Sequence, residues 1–130
     1  MQFCTVVNCM DGRVQLPVIS YLQKRFSAEY VDSITEAGPN RILAEEAPFG
    51  NLESIYKRLD ISVFKHGSGG IAVVGHHDCA GNPEHKDVQI EHVRKAITVL
   101  ARKYKKIDII GLWVDENWTV HDIKEDEIIQ

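Results

Sequence analysis

Two short segments concentrate the residues able to do chemistry, Cys9-Met10-Asp11-Gly12-Arg13 and Gly75-His76-His77-Asp78-Cys79-Ala80-Gly81. Each follows a short apolar run, at 3–7 and at 71–74. If those runs are neighbouring parallel strands, ~4.8 Å apart, the loops beyond their carboxyl ends can converge on one ion. Cys9, His76 and Cys79 then offer two thiolates and one imidazole, a donor set suited to Zn²⁺. The fourth position takes water, as in a catalytic site, or Asp11, which would close it. A His-x-x-Cys spacing arises by chance in roughly one in seven chains of this composition, and Cys-x-Asp-x-Arg in roughly one in a hundred. Both at strand ends in one chain make a strong joint signal.

The elements that must position these loops follow from periodicity. The β-branched run at 3–7 predicts a strand ending at the polar segment 8–13. Pro17 suits the first turn of a helix that places Val18, Ile19, Leu22 and Phe26 on one face. Residues 30–34 read as a second strand, followed by a turn-rich stretch at 36–40. Asn51 is placed to cap a long helix with Leu52, Ile55, Tyr56, Leu59 and Val63 at 3.6 spacing, ending at His66 with Gly67 as its C-terminal cap. The run at 71–74 is the most apolar and predicts a central third strand. A polar loop precedes a helix carrying Val93, Ala96, Ile97, Leu100, Ala101 and Tyr104 on one stripe. Residues 107–114 predict a fourth strand and 118–123 a short edge strand. The tail at 124–130 mixes acids with Ile128 and Ile129 and is expected to fray or to dock on a partner. Strand–helix alternation with apolar strands indicates an α/β three-layer sandwich around a mainly parallel sheet of four to five strands.

Length and composition set the frame. The 130 residues predict a single domain over 1–130 with a real core. Hydrophobic residues at 44% and charged residues at 26% exclude intrinsic disorder. A net charge of −4 without a basic stripe argues against nucleic acid as a partner. No apolar run approaches the ~18 residues of a membrane span, so no membrane partner and a cytoplasmic location are expected. Three cysteines cannot all pair, which predicts reduced thiols. Arg13 follows Cys9 by four positions, where a phosphatase-type loop needs six, and Asp11 between them would repel an anion. No glycine-rich nucleotide loop follows any strand.

The two segments resemble the zinc signature of the β-carbonic anhydrases, Cys-x-Asp-x-Arg followed by His-x-x-Cys, and the element order agrees over about residues 3–123. The resemblance implies zinc ligands at Cys9, His76 and Cys79. It also implies an Asp11–Arg13 dyad in which Asp11 is salt-bridged to Arg13 or swung onto the metal. The implied activity is that of a zinc lyase (carbonate dehydratase), reversibly hydrating CO₂ to bicarbonate through zinc-bound hydroxide, with a homodimer or higher homo-oligomer as the assembly. Exposed-looking Ile61 and Phe64, off the main stripe of their helix, agree with a dimer. Cys-Met-Asp in place of Cys-Ser-Asp is similar to the branch containing carbonyl sulfide and carbon disulfide hydrolases, which gives a second enzyme reading. A non-catalytic zinc protein closed by Asp11 is the third. Substrate contacts fall by resemblance at Gly38 and at Ala80-Gly81, where the family has Ala-Gly-Asn and Gly-Gly. With eight residues before Cys9, the family's N-terminal helical arm is expected to be missing.

Other residues read more plainly. Cys4 is mid-strand and predicts a small core residue. His66, His92 and His121 read as surface or cap residues, and His77 and His85 as loop residues, with a proton shuttle the lesser option for them. Trp113 and Trp118 flank a turn at 115–117 and predict packing. Arg102, Lys103, Lys105 and Lys106 suit the negative end of a helix dipole.

Overall fold

The apolar runs lack side chains that need water, and the chain sets three of them side by side in the middle of one sheet. The structure is a computed structural model and describes residues 1–46 and 50–124. Strands β1 (Phe3–Cys9), β2 (Tyr30–Glu36), β3 (Gly70–His76), β4 (Asp108–Val114) and β5 (Val120–Asp122) hydrogen-bond in the order β2-β1-β3-β4-β5. The first four are parallel and β5 returns antiparallel against β4. β3 is central, as its composition requires, and every residue in it is buried.

Helix α1 (Gln15–Arg25) covers one face through Val18 and Leu22. Helices α2 (Pro39–Glu45), α3 (Gly50–Asp60) and α4 (Lys86–Lys103) cover the other with Leu43, Ile55, Leu59, Val93, Ala96 and Leu100. Full burial of each such leucine or isoleucine stabilises by about 2 kcal/mol. The layers are those expected, a mostly parallel five-stranded sheet between helices. No helix among the described residues is long and apolar enough to cross a membrane.

Several boundaries differ from the sequence reading. β1 and β2 each run two residues further, because Asn8 and Cys9 continue the ladder opposite Thr35 and Glu36. The stretch expected to be only a turn at 36–40 opens α2, with Pro39 in its first turn and Gly38 at φ 64° bending the chain into it. Asn51 lies inside α3, not at its cap. That helix gives way at Asp60 to a π-helical turn, Ile61–Lys65, before Gly67 at φ 70°. Ala101, placed on the apolar stripe of α4, is exposed, and Gln89 is buried on that helix instead. Ile128 and Ile129 lie outside the described residues.

This order reverses chain direction across the sheet between β1 and β3. From β1 the connection runs outward to β2, and from β3 it runs the other way to β4. The carboxyl ends of β1 and β3 therefore flank a crevice, the usual place for ligands in such sheets. Cys9 ends one of these strands and His76 the other.

Candidate metal centre

The end of β1 is fixed from several sides. Asn8 accepts from the Cys9 N–H at 2.9 Å and donates to the Val14 carbonyl at 3.1 Å. Gln15 Nε2 donates to the carbonyls of Cys9 at 2.7 Å and Asp11 at 2.8 Å. Asp11 caps the short turn Gly12–Val14 through the Arg13 N–H. The loop after β3 is locked to the loop after β2 by backbone packing that only glycine permits. A Cβ on Gly81 would stand 2.4 Å from the Ala37 carbonyl carbon, and one on Gly38 would stand 2.6 Å from that of Gly81.

These constraints bring Cys9, His76 and Cys79 together, all buried, with their ligand atoms within 4.8 Å of one another. The two sulfurs are 3.8 Å apart. Two thiolates bound at ~2.3 Å to one tetrahedral ion sit about 3.8 Å apart, so the pair already has the spacing of a zinc site. His76 Nδ1 donates to the His77 carbonyl at 2.7 Å, which leaves Nε2 as the lone-pair nitrogen. Nε2 is buried and has no hydrogen-bond partner among the described residues, a costly state for a polar atom unless a ligand completes it. The residues fit zinc.

Electrostatics agree. The Cys9 thiol is pulled well below its ordinary range, first by the hydrogen bond from Cys79 and then by the amides of Gly38 and Asp11, against burial. Cys79 is pushed up because it donates that proton and is buried. Backbone N–H groups of Gly81 and Asn82 oppose that rise. Glycines at 38 and 81 thus serve the sulfurs through their amides and close approach. Cys4 is fully buried in mid-strand, and its thiol is pushed up to about 11, chiefly by burial.

Asp11 is not part of the cluster. Both of its oxygens are taken by Arg13, whose Nε donates at 3.0 and 3.3 Å, Nη2 at 2.7 Å and backbone N–H at 2.9 Å. This clamp, with its charge-assisted bonds, holds the Asp11 carboxyl down at about 2.

Comparison with known proteins agrees with this geometry. Residues 1–124 match the model of a family described as "Putative carbonic anhydrase". The chain belongs to that family. Its Cys–His–Cys cluster fits the zinc signature of the β-carbonic anhydrases, whose solved structures share the fold. Carbonic anhydrase from Streptococcus mutans is 20% identical, with a TM-score of 0.65 over 94% of this chain and 81% of that one. One of two tetrameric β-carbonic anhydrases from Sordaria macrospora is 12% identical, with a TM-score of 0.61 over 94% and 80%. The β-carbonic anhydrase CcaA is 16% identical, with a TM-score of 0.60 over 95% and 81%. No match was found among curated proteins.

Behind the cluster of this carbonic-anhydrase-family chain lies a buried polar network that motif reasoning missed. Gln89 of α4 accepts from the His76 N–H at 3.1 Å and donates to the His76 carbonyl at 2.8 Å, as a neighbouring strand would. Asn40 donates to Gln89, Asn82 donates to Asn40 at 3.2 Å, and Asn82 also meets the His92 ring at 3.0 Å. His92, half-buried, meets this network at its outer end. The available signal was an Asn or Gln on an otherwise apolar helix stripe. Replacing Gln89 by leucine leaves the buried N–H and carbonyl of His76 unpaired. Chemical unfolding should show a loss of about 2–4 kcal/mol, and a chelator titration should show zinc affinity falling about 10–100-fold.

Proposed function

We propose that this chain is a zinc-dependent lyase of the β-carbonic anhydrase type, hydrating CO₂ reversibly to bicarbonate. The observation that carries the reading is the unpartnered, buried His76 Nε2 facing the Cys9 and Cys79 sulfurs while Arg13 keeps Asp11 away from them. Cys9, His76 and Cys79 would hold the ion. Bound zinc supplies a Lewis acid that brings the pKa of water towards ~7.

The chain's own groups do the rest. Asp11, ionised at every physiological pH, can accept a hydrogen bond from the attacking water and orient its lone pair toward the carbon of CO₂. Arg13 supplies the two-pronged hold that fixes this carboxylate. Substrate contacts are proposed at Gly38, Ala80 and Gly81. A homo-oligomer acting in the cytoplasm fits the reading, and both Sordaria macrospora enzymes are tetrameric.

The test measures zinc content and CO₂ hydration on one preparation between about pH 6.5 and 9, around the pKa of zinc-activated water. About one zinc per chain, with hydration that rises with pH, is the expected result. Zinc without hydration overturns the CO₂ assignment. Sulfide release from carbonyl sulfide or carbon disulfide would then identify a hydrolase, and its absence a structural zinc.

A further inference from the structure

Arg13 is gripped by more than Asp11. Its guanidinium carbon lies 4.4 Å from the centroid of the Trp118 ring. Nη2 also donates to the Asp78 carbonyl at 3.1 Å, and Nη1 to the Asp78 carboxylate at 3.3 Å. These partners come from two separate loops, after β3 and after β4.

Both partners have left-handed backbones, Asp78 at φ 57° and Trp118 at φ 62°. An aspartate tolerates that region, whereas for a residue as bulky as tryptophan it is a genuine outlier. Such a conformation persists only where its surroundings over-determine it. Around Trp118 they do. Asp115 Oδ1 accepts from the N–H groups of Asn117 at 2.9 Å and Thr119 at 3.0 Å. The Asp115 carbonyl accepts from the Trp118 N–H at 2.9 Å, and its second oxygen meets the His121 ring at 2.7 Å.

The grip answers a physical need. The Arg13 side chain is 45% exposed, and ion pairs so open to water contribute little unless their geometry is held. A flat aromatic face is suited to hold it, because the ring attracts the cation and restricts the plane of the fork.

We infer that Trp118 and the Asp78 carbonyl are positioning residues, a clamp that orients the Arg13 guanidinium and through it the Asp11 carboxylate. Neither residue was assigned a role by the spacing of the metal motif. The functional weight of the clamp rests on the reading of Asp11 and Arg13 given above, but its existence does not.

The test reads Arg13 directly by NMR, on the protein as purified and without substrate. The side-chain Nε–H resonance is assigned by its loss in Arg13→Lys. In Trp118→Leu its exchange with water should quicken about two- to fivefold, the factor expected for losing one such contact. Trp118→Phe, which keeps a flat ring, should restore most of the protection. A folded Trp118→Leu with parent-like exchange would overturn the clamp. Should that variant fail to fold, the parent decides. Cross-relaxation between Arg13 and the Trp118 ring, with an indole resonance that moves in Arg13→Lys, supports the clamp, and absence of both overturns it. A clamped guanidinium in a protein that hydrates no CO₂ would refute the proposed reaction and leave the clamp standing.

Discussion

Zinc affinity in a Cys79→Ser variant is expected to fall by roughly a thousandfold. Structural zinc sites bind with about 10–16 kcal/mol, so one of three protein ligands accounts for about 4 kcal/mol, or about a thousandfold in affinity. A serine hydroxyl cannot replace the thiolate, since it stays protonated at neutral pH and is a harder donor. Titration against a chromogenic chelator, with metal content per chain, measures the loss. Cys4→Ser is the control, because Cys4 is buried in mid-strand away from the cluster and should cost stability while leaving zinc stoichiometry intact. Chelation should lower the unfolding midpoint of the parent and leave that of Cys79→Ser unchanged, because only a chain that binds the ion gains stability from it. Sulfurs that hold zinc do so as thiolates, so protons would compete with the metal and affinity should weaken as pH falls. An unchanged affinity in Cys79→Ser would remove Cys79 from the site and the proposed centre with it.

The Cys–His–Cys cluster was legible because its residue types are rare and its spacing is local. Cys9 and His76 sit at the ends of runs whose apolarity fixes them as inner strands, and Cys79 lies one loop further. What the spacing could not give is long-range. Gln89 serves His76 from a helix, thirteen positions on, through backbone hydrogen bonds that leave no motif. Helix α2 was hidden because Glu36-Ala37-Gly38-Pro39-Asn40 carries the composition of a turn, while Leu43, its apolar anchor, has no repeat in so short an element. Trp118 packs against the core as its place beside the turn predicts, but its second face, over Arg13, depends on a turn shape that Asp115 sets through its hydrogen bonds. Asp11 shows the same limit. The sequence allowed it two positions, and only the geometry of Arg13 selects the one away from the sulfurs.

That selection leads to the prediction with the sharpest kinetic consequence. Asp11→Asn keeps the shape of the side chain and removes its charge, so the attacking water loses its acceptor. Stopped-flow hydration should show kcat/KM lower by about 10²–10⁴, the range for removing a positioned acid–base group. Zinc content should stay near that of the parent, because Asp11 lies outside the cluster of Cys9, His76 and Cys79. Arg13→Ala should fall comparably for a different reason, since the freed carboxylate is no longer aimed and can reach the metal. A double-mutant cycle separates the two roles. If Arg13 acts only through Asp11, then adding Arg13→Ala to Asp11→Asn costs little further activity. A full additional loss in the double variant would mean that Arg13 meets the substrate itself. Parent-like turnover in Asp11→Asn would remove the carboxylate from the reaction altogether.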